Sequence, residues 1–377
     1  MFESTSKKAA LVLQDGTVYE GKGYGPLGTS EGEAVFCTGM AGYTESMTDP
    51  SYHHQFLTFT YPLIGNYGVA RFLSGESGLP AAFESDAIRA RGIIAHEICE
   101  RPHHWACERS LSRWLSDEGV PGIAGIDTRA LTKRLREHGV MPSVLHVFEA
   151  GDRPDLDRLR ARAQRMRDPT DGNLVSEMST PVTIEYNKGG AKTVVLLDCG
   201  TKYGIIRSLL RRNIHVVQVR YNTPLDAFEA LNPDGVLISN GPGNPDKVDT
   251  VQDTIAGCVS AGIPTFGICM GNQLVSLALG GKTYKLRYGH RSQNQPCVEV
   301  GTKRCYITSQ NHGYVVDPAS LEGTGLDLWF SNANDHSCEG VISRTEQVCA
   351  VQFHPEARPG PRDTDYLFDR FVGMMEG

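Results

Sequence analysis

Three residues of this 377-residue chain combine the types and the spacing that nucleophilic catalysis needs: Cys269, His354 and Glu356. Cys269 lies in Ile263-Pro-Thr-Phe-Gly-Ile-Cys269-Met-Gly-Asn-Gln273. The apolar run Thr265 to Ile268 reads as a short buried strand, and Leu274, Leu277 and Ala278 then recur at helical spacing. The cysteine therefore falls where strand becomes helix. Gly267-x-Cys269-x-Gly271 at such a junction is the pattern of a nucleophile elbow. The glycines let the backbone turn sharply, which lifts the sulfur toward a pocket and aims the amide of Met270 at the same place. An arbitrary cysteine in a strand-to-helix turn is more often a buried apolar residue; glycines on both sides favour the nucleophile.

A nucleophilic cysteine needs a base and a group that orients the base. Gln347 to Phe353 reads as a strand ending in His354-Pro355-Glu356. Side chains two apart on extended chain share a face, so His354 and Glu356 can form one acid-base pair. An isolated His-x-Glu would be two loop residues, and the upstream elbow is what gives this one a role. His312, in Gln310-Asn311-His312-Gly313-Tyr314, competes for the part of base but has no carboxylate beside it. The turn Asn240-Gly241-Pro242-Gly243-Asn244-Pro245 offers rigidly held backbone amides. Beside an elbow it supplies the second half of an oxyanion hole.

The elements that must position these residues alternate. From Lys192 the chain reads strand (193–198), helix (205–212), strand (214–219), helix (225–231) and strand (235–239). This predicts an α/β domain with a mainly parallel sheet flanked by helices, whose ligands bind at the carboxyl ends of the strands. Short strands at 298–300 and 304–308 follow, then a connection at 310–314, and a closing helix over 364–375. The first half is different. Asp15-Gly16 between two β-rich runs predicts a hairpin with a two-residue turn, 55–61 and 91–98 read as strands, and helices are expected at 110–118, 130–138 and 155–166, the second capped by Asp127. The domains expected are a smaller β-rich α+β domain over 1–150, a connecting segment over 151–191 with its linker near 180–191, and the α/β domain over 192–377.

Two phosphate-binding patterns fail on inspection. Gly23-x-Gly25-x-x-Gly28 holds Pro26 and runs into strand-like sequence where a helix is required, and Leu279-Gly-Gly281-Lys282-Thr283 has Ser276 in place of the first glycine. His53-His54 and His103-His104 are not read as metal sites, because neighbours on a strand point to opposite faces. No metal is expected.

Composition narrows the setting. The chain is too long for one ordinary core, and 40% hydrophobic with 21% charged residues is the balance of a soluble globular protein. No stretch approaches a membrane span, and Met-Phe-Glu-Ser-Thr-Ser-Lys-Lys lacks the apolar segment of a signal peptide, so a cytoplasmic setting is expected. Ten scattered cysteines without a Cys-x-x-Cys pair argue against a zinc site or disulfide framework. A net charge of −7 with interspersed signs argues against nucleic acid and leaves a small molecule or another protein as partner.

With Asn240-Gly-Pro-Gly243, Gly267-Ile-Cys-x-Gly-x-Gln273 and His354-Pro-Glu356 in order, the second half resembles a class I (triad) glutamine amidotransferase. The first half carries Asp15-Gly16, Gly42-Tyr43 through Asp49-Pro50-Ser51-Tyr52, Tyr61-Pro-x-Ile-Gly-Asn66 and Asp127-Thr-Arg129. In these segments it is similar to the small subunits of glutamine-hydrolysing carbamoyl phosphate synthetases, and Gly289-His290 to Pro296 and Gln310 to Gly313 of the second half belong to the same resemblance. The resemblance implies a triad of Cys269, His354 and Glu356, and glutamine held by Ser51, Gly241, Gly243, Met270, Gln273, Asn311, Gly313 and Tyr314. It also implies release of ammonia to a large subunit that carries the ATP and divalent-cation sites, with no cofactor on this chain, for arginine or pyrimidine biosynthesis. Asn272 and Tyr314 depart from the histidine and phenylalanine common at those positions. Three rival readings are a different class I amidotransferase, which would lack the β-rich first domain, a thiol esterase or peptidase, and a non-catalytic regulatory subunit, which would carry a broken triad.

Overall fold

The structure is a computed structural model that describes residues 7–72, 75 and 78–376. It divides into two compact units, Met1–Gly75 with Pro80–Asp171, and Glu76–Leu79 with Gly172–Gly377. The first contains, in chain order, β1 (Lys7–Leu13), β2 (Val18–Tyr24), β3 (Gly28–Cys37), α1 (Tyr43–Met47), β4 (Gln55–Phe59), β5 (Leu63–Ile64), β6 (Val69–Ala70), β7 (Gly92–Ile94), β8 (Glu97–Ile98), β9 (Cys107–Arg109), α2 (Leu111–Asp117), β10 (Gly122–Ala124), α3 (Thr128–His138), β11 (Met141–Glu149) and α4 (Leu156–Arg165). Seven strands close into a barrel in the order β1-β11-β3-β4-β7-β10-β2, and closure leaves no unpaired sheet edge.

Four local expectations for this unit need correction. The β1–β2 turn is a three-residue loop, because Leu13 still pairs with Thr17 and Gly16 takes φ 88, the left-handed residue such loops require. The strand expected over 91–98 is two: β7 joins the barrel, and β8 pairs with β5 instead. His53 and His54 lie in a turn, where His54 takes φ 62, and their rings stack edge-on 4.4 Å apart, so the alternation of a strand does not apply to them. Residues 151–171 are not a connector but part of this unit, since Leu159 and Ala163 of α4 pack on Val12 and Val144.

The second unit contains α5 (Val175–Met178), β12 (Ile184–Tyr186), β13 (Lys192–Asp198), α6 (Tyr203–Leu210), β14 (Ile214–Arg220), α7 (Leu225–Glu229), β15 (Gly235–Ile238), α8 (Gln252–Ser260), β16 (Thr265–Ile268), α9 (Met270–Ala278), β17 (Thr283–Glu299), β18 (Cys305–Val316), β19 (Leu326–Asn332), β20 (Cys338–Ser343), β21 (Val348–Val351) and α10 (Tyr366–Met374). Its ten strands run β12-β14-β13-β15-β16-β21-β20-β19-β17-β18. The five from β14 to β21 are parallel, as the alternating sequence predicts, and antiparallel strands extend this core on both sides. Alternation along β13 divides the apolar side chains: Val195 and Leu197 face α7, α8 and α9, whereas Val194 and Leu196 face α6 and α10. The linker expected over 180–191 contains a strand, because β12 pairs with β14. The short strands expected over 298–308 and the connection at 310–314 are instead one long ribbon, β17–β18, whose register shifts between Lys285 and His290 and again between Ser292 and Gln295. Bulges break the period of two, which is why the sequence reads as irregular there. Among the described residues no helix is long and apolar enough to cross a membrane.

Candidate active site

Cys269 links β16 to α9 and takes φ 56, ψ −102, a conformation that a residue with a Cβ adopts only under strain. Its amide donates to the Val351 carbonyl at 2.8 Å, which ties the elbow to β21. The turn is therefore taken by the cysteine itself. The flanking glycines serve close approach: a Cβ on Gly271 would lie 2.1 Å from the Ile238 carbonyl oxygen, and one on Gly267 would lie 2.6 Å from that of Gly271. Met270 opens α9, so its amide belongs to the first turn, whose N–H groups lack helical partners.

His354 follows β21, and its amide donates to the Ser309 carbonyl at 2.9 Å, which sets the residue against β18. Its Nδ1 lies 2.7 Å from Glu356 Oε1. That oxygen also accepts from Lys202 Nζ at 2.8 Å, and the side chains of Lys202 and Glu356 are 2% and 0% exposed. Burial on its own penalises both charges of such a pair. For His354, burial lowers the pKa, but the Glu356 carboxylate outweighs it, and with the contact to Cys269 the value rises to about 10. For Glu356, burial raises the pKa, yet the Lys202 ammonium and the His354 ring hold it well below the usual carboxylate range. Among the described residues His354 Nε2 makes no full hydrogen bond, as catalytic contacts often tighten only around substrate.

Lys202 was not anticipated from sequence. It is placed by Asp198, whose Oδ1 accepts from the amides of Gly200 and Thr201, and by Asn240, whose Oδ1 accepts from the Lys202 amide at 3.0 Å. A lysine just before a helix gives no local signal of a partner 154 residues away.

Below the sulfur lies a row of amides. Gln273 Nε2 donates to the Tyr314 carbonyl at 2.7 Å and to Gln352 Oε1 at 3.0 Å. Asn272 Nδ2 reaches the same oxygen at 3.4 Å, and Gln352 Nε2 lies 3.6 Å from Cys269 Sγ. The Asn311 carbonyl is 3.7 Å from the sulfur. Gln352, fully buried, was also missed by sequence reasoning. His312, the competing base, has Nδ1 3.0 Å from the Tyr314 carbonyl and Nε2 3.1 Å from Gln310 Oε1. Burial, reinforced by His290, depresses its pKa well below that of a free imidazole. A ring so engaged is poorly placed to take a proton from Cys269.

The structure thus brings together Cys269, His354 and Glu356, with Met270, Gln273, Asn311 and Tyr314 around them. Gly241 and Gly243 lie in the loop after β15, beside the strand that ends in Cys269. Both are needed as glycine: a Cβ on Gly241 would lie 2.2 Å from the Cys199 carbonyl oxygen, and Gly243 takes φ 91. Gly313 stands in β18 opposite the Arg291 guanidinium. Ser51 belongs to the other unit, in the turn Pro50–Tyr52, where its amide donates to Asp49 Oδ1 at 2.9 Å and the residue is 8% exposed.

Comparison with known proteins gives the family of each half. Residues 11–145 match the family described as carbamoyl-phosphate synthase small chain, CPSase domain, and residues 195–374 match glutamine amidotransferase class-I. The carbamoyl phosphate synthase small chain of Archaeoglobus fulgidus is 42% identical over 368 residues, covering 98% of this chain and 99% of that one. That of Pyrococcus furiosus is 43% identical over 373 residues, covering 98% of each. The multifunctional protein CAD of Squalus acanthias is 43% identical over 366 residues, which take in 97% of this chain and 16% of CAD. With both domain types in order and this identity along nearly its whole length, the chain belongs to the family of carbamoyl phosphate synthase small chains, the glutamine amidotransferase subunits of that enzyme.

Proposed function

We propose that Cys269 hydrolyses glutamine through a thioester and that the ammonia passes to a large synthetase chain. The observation that carries this reading is the buried array of Cys269, His354, Glu356 and Lys202 at a strained elbow. The thiolate attacks the side-chain amide carbon of glutamine, and the amides of Met270 and Gly241 hold the developing oxyanion, each worth on the order of 3 kcal/mol of barrier. The His354 imidazolium gives its proton to the departing ammonia, and the neutral ring then takes a proton from water as it attacks the thioester. Glu356 fixes the ring tautomer. Gly243, Asn311, Gly313 and Tyr314 shape the glutamine pocket, and Gln273, whose Nε2 is already engaged, offers its Oε1 to the substrate ammonium. Ser51 is proposed to offer its hydroxyl to the substrate's main-chain groups.

ATP, a divalent cation and bicarbonate are assigned to the large chain, and the carbamoyl phosphate formed supplies arginine or pyrimidine biosynthesis in the cytoplasm. The test is Cys269→Ser in the reconstituted complex. Glutamine-dependent carbamoyl phosphate synthesis is expected to vanish while synthesis from ammonium salt remains, because serine without a base built for it is a far weaker nucleophile. Wild-type glutaminase turnover in that variant would refute the assignment.

A further inference from the structure

Gln352 is adjacent to the triad in sequence and in space, yet the steps of glutamine hydrolysis give it no task. Its side-chain amide is held in one orientation by a chain that starts at a main-chain carbonyl. The Tyr314 carbonyl can only accept, so the Gln273 amide must present Nε2 to it at 2.7 Å. The same Nε2 donates to Gln352 Oε1 at 3.0 Å, and Asn272 Nδ2 adds a second donor to that oxygen at 3.4 Å. An amide whose oxygen is taken by two donors must turn its N–H groups the other way. They face Cys269 Sγ at 3.6 Å. All three residues are buried, with Gln352 and Asn272 fully so.

The sulfur therefore lies between opposed partners. The Asn311 carbonyl, 3.7 Å away, can accept only from a thiol. The Gln352 N–H can donate best to a thiolate, since hydrogen bonds to ionised groups are the stronger ones. We propose that Gln352 is the hydrogen-bond donor to the Cys269 thiolate, and that Asn272 and Gln273 are positioning residues that aim it. The proposal rests on Cys269 acting as the nucleophile. It also assigns a task to Asn272, the position where this chain departs from the common histidine.

The donor matters at two points in the cycle. In the free enzyme it favours the anionic sulfur. In the thioester the sulfur is neutral and the N–H loses most of its partner. When water then attacks the thioester carbon, its proton passes to His354 Nε2, the C–S bond breaks, and the electron pair returns to sulfur as thiolate. Gln352 meets that charge as it forms, so it assists the departure of sulfur in the hydrolytic half of the reaction.

The experiment compares Gln352→Met and Gln352→Glu with wild type in the small chain–large chain complex. Inactivation by iodoacetamide is followed from pH 5 to 9, with modification at Cys269 located by mass spectrometry and folding checked by thermal melting. The other ionisable groups around the sulfur, namely His354, Glu356, Lys202 and His312, are unchanged in both variants. Loss of the donor in Gln352→Met is expected to move the alkylation midpoint up by about one pH unit, a tenfold loss of thiolate at low pH. Gln352→Glu, which sets a carboxylate against the sulfur, is expected to move it further. With labelled glutamine, both are expected to accumulate more thioester than wild type. Alkylation profiles that superimpose on wild type would overturn the proposal. If neither variant folds, Gln273→Leu, which frees the Gln352 amide to turn, is expected to give a smaller upward shift, and an unshifted profile in that variant would overturn the proposal equally. Failure of wild-type alkylation at Cys269 to stop glutamine hydrolysis would instead refute the nucleophile assignment itself.

Discussion

In the proposed mechanism the charges buried behind the cysteine balance, a Cys269 thiolate and Glu356 against His354 and Lys202. Removing Lys202 leaves the group with one net negative charge, and the cation that holds Glu356 ionised is lost. Glu356 then takes up a proton at higher pH, so Lys202→Met is expected to shift the acid limb of the glutaminase kcat/KM profile upward. An acid limb identical to wild type would show that Lys202 serves only packing. The strain at Cys269 makes a second prediction. Glycine in place of alanine ordinarily costs stability, but at φ 56 the order reverses. Cys269→Gly should be more stable than Cys269→Ala by about 1–2 kcal/mol in denaturant titrations. Equal stability would mean that the elbow stores no strain. At this scale the sequence was informative where chemistry is local: the glycines around Cys269 and the His-x-Glu spacing are short-range patterns. Lys202 and Gln352 were silent because each acts on a residue 154 or 83 positions away.

At the scale of elements, the parallel strands were legible because each is a continuous apolar run followed by an amphipathic helix. The β17–β18 ribbon was not, because its bulges move side chains off the period of two. Those bulges let one strand serve two environments. His290 points from β17 toward the turn after β19, with Nε2 2.7 Å from Asp335 Oδ2 and Nδ1 3.4 Å from Glu339 Oε1 on β20. Burial lowers the pKa of His290, but its bonds to Asp335 and Glu339 outweigh it and raise the value to about 9. A histidine whose pKa rises on folding stabilises fully below its unfolded value, about 6.5, and the contribution fades as pH climbs through the folded value. The loss of Tm caused by His290→Asn should accordingly be largest near pH 6 and shrink toward pH 10. A deficit independent of pH would show that the ring acts by shape alone.

For the whole molecule, two compact units were legible from the change of pattern near the middle of the chain, although the expected connector was not. Helix α4 carries only a narrow apolar stripe amid arginines and aspartates, and such a composition reads as a link when the barrel surface it covers is unknown. Ser51 is proposed for glutamine binding from the resemblance, and nothing in its local turn marks it out. A hydroxyl that bonds the substrate's main-chain groups before and during bond breaking contributes uniform binding. Ser51→Ala is therefore expected to raise KM for glutamine about tenfold to a hundredfold, the equivalent of one hydrogen bond to a charged group, with kcat little changed. Steady-state glutaminase assays of the complex decide this, and an unchanged KM would confine the first unit to contact with the large chain.

The strained elbow has an evolutionary corollary. With Cys269 in its proposed role, folding and glutamine use pull position 269 in opposite directions, since its conformation is one that glycine adopts without penalty. Selection for glutamine hydrolysis is then the force that keeps a side chain there. In a lineage fed on abundant ammonia that force disappears, and drift at 269 should run downhill toward glycine, leaving the fold intact and the loss hard to reverse. Cells grown for many generations on ammonium salts, with this codon randomised and sequenced, should show glycine enriched over alanine and serine.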